Sequence, residues 1–271
     1  MGPEAGAPPD TLHAASVLDA LRPYVAHVLL YRERVPPNAW IVERVVPDGA
    51  LRLVVDLAAS PEGSLPLTLI GPSAAPTLVR IAGETHGLSV TFHPGAAEAL
   101  LGVPAGTLAA SKVSLDEVWG PRAAALFERV QEAPTDQARA DALQQGLLAR
   151  LGSGPSRLAS PSLDGLQRAI AEAPADDVRA LASAAGVGER RLQQLFHRHI
   201  GLPPRTWRRL ARLHACIRGL RQRTDVHWAD VALAHGFYDQ AHLVREFQDL
   251  CGCTPSAFWR RAVSGSSKTR S

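Results

Sequence analysis

Several kinds of chemistry are excluded by what this 271-residue sequence lacks. It contains no run of about 18 apolar residues, so no membrane-spanning helix is expected. Residues 1–10 are rich in Pro, Ala and Gly and are acidic rather than basic. They lack the charged-then-apolar order of an export signal, and a cytoplasmic protein with no membrane partner is expected. Cysteine is scarce: Cys216, Cys251 and Cys253 are an odd number without secretory context, which argues against a disulfide framework. Cys251 and Cys253 are separated by one residue and have no second Cys/His pair at zinc spacing, so small, partly buried thiols are expected. His86 and His93 have no partner carboxylate at a suitable spacing, so neither a metal nor another cofactor is expected. Gly71, Gly83, Gly87 and Gly95 form no phosphate-cradling motif, and no Gly-x-Ser-x-Gly elbow occurs. Asp48, after Pro47, reads as a turn former rather than an acid or base. The expectation is a protein that is not an enzyme.

Charge is present but unevenly placed. Residues 1–155 carry 11 Lys/Arg against 16 Asp/Glu, a net of −5, whereas residues 156–271 carry 18 against 10, a net of +8. Only the second half is suited to meet a polyanion. A Gly/Ser/Pro cluster at 152–162 marks an interdomain linker between the halves. Before it, short Val/Ile/Leu/Thr-rich segments predict strands at Val25–Arg34, Trp40–Val46, Ala50–Leu57, Leu65–Ile70, Thr77–Ile81 and Leu88–Phe92. A helix pair is predicted at Pro121–Ala133 and Thr135–Leu151, and any dimer contact is expected there. After the linker, helices are predicted near Leu163–Glu172, Val178–Ala185, Glu189–His199, Pro204–Arg221, Trp228–His235 and Gln240–Leu250.

The basic half contains one pattern twice. Ala182, Gly186, Leu192, Phe196, Gly201, Pro204 and Trp207 recur as Ala232, Gly236, Leu243, Phe247, Gly252, Pro255 and Phe258. From the Leu onward the spacings are identical, and the second copy has one extra residue between its first Gly and its Leu. Each copy has the physics of a helix-turn-helix. A small Ala permits close helix crossing, a Gly ends the first helix, and a Leu/Phe pair at i,i+4 buries one face of the second. The opposite faces offer Arg190, Gln193, Gln194 and His197 in the first copy, and Gln240, His242 and Arg245 in the second. Gln can pair bidentately with adenine and Arg with guanine, so double-stranded DNA is the expected partner. Between the copies, Trp207, Leu210, Leu213, Ile217 and Leu220 form an apolar helical stripe. Arg205, Arg208, Arg209, Arg212 and Arg218 mostly populate the rest, and the first four are phosphate-contacting candidates. At about 1.5 Å per residue this helix is long enough to set two reading helices near one duplex turn apart.

Leu181-Ala-Ser-Ala-Ala-Gly-Val-Gly188, Leu192-x-x-x-Phe196, Gly201-Leu-Pro-Pro204, Gly236-Phe-Tyr-Asp-Gln240, Arg245-Glu-Phe247 and Gly252-Cys-Thr-Pro255 resemble the AraC/XylS family of transcriptional regulators over roughly residues 160–262. That resemblance implies two helix-turn-helix subdomains joined by a long helix, each placing a helix in successive major grooves. It assigns base reading to Arg190, Gln193, Gln194, Gln240, His242 and Arg245. Most members activate transcription, so RNA polymerase is an implied partner. Gly188 stands where the family usually has a capping Ser, and Gln194 where it often has Arg, while Asp239 supplies the cap of the second reading helix. Leu21-Arg-Pro-Tyr24, Val46-Pro-Asp-Gly49, Gly71-Pro72 and Phe92-His-Pro-Gly95 resemble a family sensory region, which implies a cupin-like N-terminal domain. Some relatives fuse the DNA module to alkyl-transfer chemistry, which needs an N-terminal cysteine that residues 1–155 lack.

The expected fold is α+β in two domains: a mostly-β, cupin-like barrel with flanking helices, then an all-α double helix-turn-helix. The expected limits are 1–151 for effector binding or dimerisation, 152–162 for the linker, 163–262 for DNA binding, and 263–271 for a disordered tail. The expected function is a one-component activator responding to a small-molecule effector and able to form a homodimer. Two alternatives are a small-molecule-binding enzyme with a vestigial DNA module, and a constitutive DNA-binding protein whose N-terminal domain only dimerises.

Overall fold

The computed structural model describes residues 12–36, 38–58, 65–153, 161–172, 177–220, 225–263 and 269–270. Its N-terminal region is built mostly of strands: β1 (Leu12–Ala15), β2 (Val25–Arg34), β3 (Trp40–Val45), β4 (Arg52–Asp56), β5 (Leu67–Ile70), β6 (Thr77–Ala82), β7 (Glu84–Phe92) and β8 (Lys112–Ser114). Among the described residues, four α-helices accompany them: α1 (Ala97–Leu101), α2 (Leu115–Trp119), α3 (Pro121–Glu132) and α4 (Asp136–Ser153). The helical C-terminal region comprises α5 (Pro161–Glu172), α6 (Val178–Ala184), α7 (Glu189–Leu195), α8 (Pro204–Leu220), α9 (Trp228–Ala234), α10 (Gln240–Cys251) and α11 (Pro255–Val263). Residues 154–160, the centre of the expected linker, lie outside the described residues, as do 264–268 and 271 of the expected tail. Thr269–Arg270 pair with β3.

The strands do not close into a barrel. They form a six-stranded antiparallel sheet in the order β1-β2-β7-β4-β5-β8, and β6 and β3 form a separate sheet with Thr269–Arg270. The cause lies in what covers the apolar face. Val28, Leu53, Val55, Leu69, Leu88 and Val90 alternate along their strands and point to one side. That side joins one core with Leu100, Leu101, Leu115, Leu126, Val130, Leu143 and Leu147 of α1 to α4. Helices thus bury the face that barrel closure would otherwise have to bury. Gln144 ties α4 to the sheet edge: its fully buried amide accepts from the Leu18 N–H at 2.8 Å and donates to the Ser16 carbonyl at 3.1 Å.

The C-terminal helices share a second core, which runs from Leu163 and Leu166 on α5 through Leu192, Phe196, Leu210, Leu213 and Ile217 to Leu243, Phe247 and Leu250. Val46 and Ala74 of the N-terminal region pack against it, so the two regions meet along a continuous seam.

Candidate nucleic-acid interface

The duplication read in the sequence is also a duplication of geometry. Ala182 and Ala232 are buried, and their carbonyls accept the N–H of Val187 at 3.0 Å and of Phe237 at 2.9 Å. Gly186 and Gly236 turn the chain at φ of +66° and +72°, in the left-handed region that glycine enters without steric cost. Leu192 and Leu243 are fully buried, as are Phe196 and Phe247. Phe196 meets Trp207 edge-on at 5.9 Å and 68°, and Phe247 meets Phe258 at 5.7 Å and 70°. Four aromatic anchors about 50 residues apart in sequence therefore reproduce one packing motif, which holds each second helix against the helix that follows it.

The copies differ at their turns and caps. Gly188 begins α7 without a side-chain cap, whereas the Asp239 carboxylate accepts the His242 N–H at 2.7 Å and caps α10. The extra residue of the second copy lengthens its turn around Tyr238, whose side chain is 86% exposed immediately before the cap. The sequence reading did not single out Tyr238, although the one-residue insertion was its signal. The helix begun by α7 continues through a widened, π-type turn at Phe196–Ile200. α10 is regular over its 12 residues.

Arg190, Gln193, Gln194 and His197 are all exposed, and their i, i+3, i+4, i+7 spacing sets them on one face. The Gln194 side-chain oxygen accepts from Arg191 at 3.4 Å. Gln240 and Arg245 are exposed on α10. His242 is turned to local work: its Nδ1 accepts the Tyr238 N–H at 3.2 Å, its ring lies edge-on to Phe237 at 5.6 Å, and its Nε2 is 3.6 Å from Glu246. It therefore fixes the turn that presents Tyr238 and Gln240.

Arg205, Arg208, Arg209 and Arg212 of α8 follow the same spacing and line one open recess of about 220 Å³. They are not equivalent. Arg205 is exposed. Arg209 binds the buried Glu246 carboxylate at 3.1 Å and Asp249 at 3.4 Å. Arg212 donates to the Gly236 carbonyl at 3.1 Å and lies over the Phe237 ring at 4.9 Å. Burial first, and then the neighbouring Arg208 and Arg209, hold the Arg212 guanidinium below the usual arginine range against the pull of Glu246. Arg209 and Arg212 thus lash the second helix-turn-helix to α8. The carboxylates and the carbonyl that engage them were invisible to a reading of α8 alone.

The seam with the N-terminal region abuts the end of the helix that α7 begins. Glu98 of α1 pairs with Arg198 at 2.6 Å and lies 3.6 Å from His199 Nδ1. The Gly95 N–H donates to the His199 carbonyl at 3.2 Å. Gly106 lies so close to the His197 carbonyl oxygen that a Cβ there would clash. The Pro47 carbonyl is 2.9 Å from His214 Nε2 of α8, and Gly49 lies against Leu202, Trp207 and Leu210. The same seam encloses a cavity of about 20 Å³ lined by residues that include His93, Gly95, His199 and Ile200. Desolvation holds both His93 and His199 below the usual histidine range. Among the described residues no three His, Cys, Asp or Glu side chains form a metal-binding group, and no helix is long and apolar enough to cross a membrane. Cys216 and Cys251 are buried and form no disulfide, and burial pushes the Cys251 thiol up to about 12.

Residues 181–261 match the family model described as "Helix-turn-helix domain", and residues 18–114 match "Domain of unknown function (DUF6597)". No curated protein sequence matches. Among solved structures, ToxT from Vibrio cholerae aligns over 92% of this chain and 96% of its own, at 10% identity and TM-score 0.40. A second ToxT crystal structure from that organism aligns over the same shares at 7% identity and TM-score 0.40. Likeness that distant has no bearing on activity. The duplicated units and the matched domain define the class: the chain is a DNA-binding transcription regulator. Its C-terminal region carries a helix-turn-helix domain of the AraC type.

Proposed function

We propose that α7 and α10 enter successive major grooves of one duplex and that the N-terminal region, residues 1–151, adjusts that binding in response to a small molecule. In this reading Arg190, Gln193, Gln194, Gln240 and Arg245 contact base edges. Tyr238 joins them, and His242 acts as a positioning residue. Arg205 and Arg208 contact phosphate, while Arg209 and Arg212 act mainly by fixing the angle between the two units. The observation that carries the reading is the matched geometry of the two units, each with its polar helix face exposed. The close-packed seam supports control by the N-terminal region, because a change in that region would reach the end of the first reading helix directly. The regulator would work in the cytoplasm as a one-component activator contacting RNA polymerase, with α3 and α4 as the contact of a homodimer.

Base reading is tested by Arg245→Ala in a titration against a duplex selected from random sequence. The expected loss is about 1–3 kcal/mol, with relaxed preference at one position of the site. Unchanged affinity together with unchanged site selection would contradict the assignment.

A further inference from the structure

One polar row in the N-terminal region has no structural account. Strand register sets His27 of β2 opposite Thr91 of β7, and Thr91 opposite Arg52 of β4, so the three side chains lie side by side on the sheet face away from the helices. Thr91 is 1% exposed, and its hydroxyl has no hydrogen-bond partner among the described residues. Neither ring nitrogen of His27 has one. Buried polar groups without partners carry a cost that a fold does not retain idly. Burial and then the Arg52 charge push His27 down to about 4, so its ring stands neutral beside a cation. Arg52 holds the Asp48 carboxylate at 2.5 Å in a pair that is only 14% and 10% exposed.

We propose that His27, Thr91 and Arg52 form a binding site for a small carboxylate, and that Asp48 is the internal carboxylate such a ligand displaces. The chemistry of the row selects the class. A guanidinium offers two parallel N–H donors that match a planar carboxylate, and it already holds one. Thr91 adds a hydroxyl donor and His27 a ring N–H, and neither is used by Asp48. Asp48 is tethered and so competes at high effective concentration. An incoming carboxylate prevails by satisfying the two orphaned donors as well.

The inference deepens the reading of the N-terminal region as the sensing half and rests on it. Asp48 lies between Pro47, whose carbonyl meets His214 of α8, and Gly49, which packs on Leu202, Trp207 and Leu210. Displacing Asp48 therefore frees the loop that joins the strands to the DNA-binding half.

The test follows the His27 ring resonances of the full chain by NMR as formate is added, with inorganic phosphate as the comparison anion. His27→Gln assigns the signals. A bound carboxylate stabilises the imidazolium, so saturable shifts and a raised His27 pKa are expected. Asp48→Asn, which removes the competitor, should tighten formate binding by about tenfold or more. Thr91→Val keeps the side-chain shape and should weaken binding, as should Arg52→Gln. Silent His27 resonances in Asp48→Asn overturn the proposal, as does a response to phosphate alone or an equal response in Thr91→Val. DNA affinity of Asp48→Asn is measured in parallel. Saturable formate binding with unchanged DNA affinity contradicts the sensing reading, whereas silent resonances contradict the carboxylate site itself.

Discussion

Single residues set the pH behaviour of this fold. His27, His93 and His199 all have ionisation shifted downward, with burial as the leading cause. The unfolded chain binds a proton at each near the ordinary histidine value, whereas the folded chain resists it. Stability is therefore complete above about pH 6.5 and falls as the pH drops from there toward the depressed folded values, which for His27 is about 4. His27→Gln should flatten this dependence, measured as the slope of unfolding free energy against pH in urea titrations between pH 7 and 4. An unchanged slope would mean that His27 is solvated in the folded protein.

Among elements, the second helices of the two helix-turn-helix units differ at their first residue. α10 begins on a carboxylate cap and α7 on a bare glycine. Asp239→Ala should cost about 1 kcal/mol in thermal or urea unfolding, while Gly188→Ser should gain only a few tenths, because glycine already tolerates the cap conformation. Equal and opposite effects would mean that the caps are not what distinguishes the two units. Local signals explain why this half was legible in the sequence. Leu/Phe pairs, glycine stops and capping residues all act within a few positions. β2 was legible for a similar reason, since a long segment rich in apolar residues has its ends marked by turn signals. β1 and β8 were missed because four and three residues are too few for alternation to register, and both are held by long-range pairing. α11 was missed although its anchors Pro255 and Phe258 belong to the repeat. A barrel was expected because the resemblance to a family sensory region implied a cupin-like domain, whereas serial short strands suit a barrel or a sandwich equally. The sequence does not reveal that α1 to α4 take the apolar face instead, nor that His86 finds Asp136 at 2.9 Å across the fold.

At the scale of the whole molecule, an acidic region and a basic region are joined where backbone meets backbone. The Gly106–His197 approach leaves no room for a side chain, so docking is specified by shape, and Glu98 adds charge complementarity to Arg198. A bulky residue at this point should part the regions without disturbing either core. Gly106→Val is expected to alter DNA affinity while leaving the core of the first region intact, read as changed binding with unchanged near-ultraviolet circular dichroism. Unaltered affinity would mean that the seam plays no part in presenting α7. The +8 charge of residues 156–271 predicts that binding weakens steeply with salt, on the order of 10³-fold between 50 and 200 mM if six or more phosphates are contacted.

The most direct measurement is a base-resolution footprint of the full chain on its selected duplex, repeated with Gln193→Ala and with Arg245→Ala. Two protected major-groove segments about 10 bp apart on one face are expected, with Gln193→Ala erasing contacts in one segment and Arg245→Ala in the other. A single protected segment, or two that respond alike to both substitutions, would contradict a regulator that reads successive grooves with its two helical units.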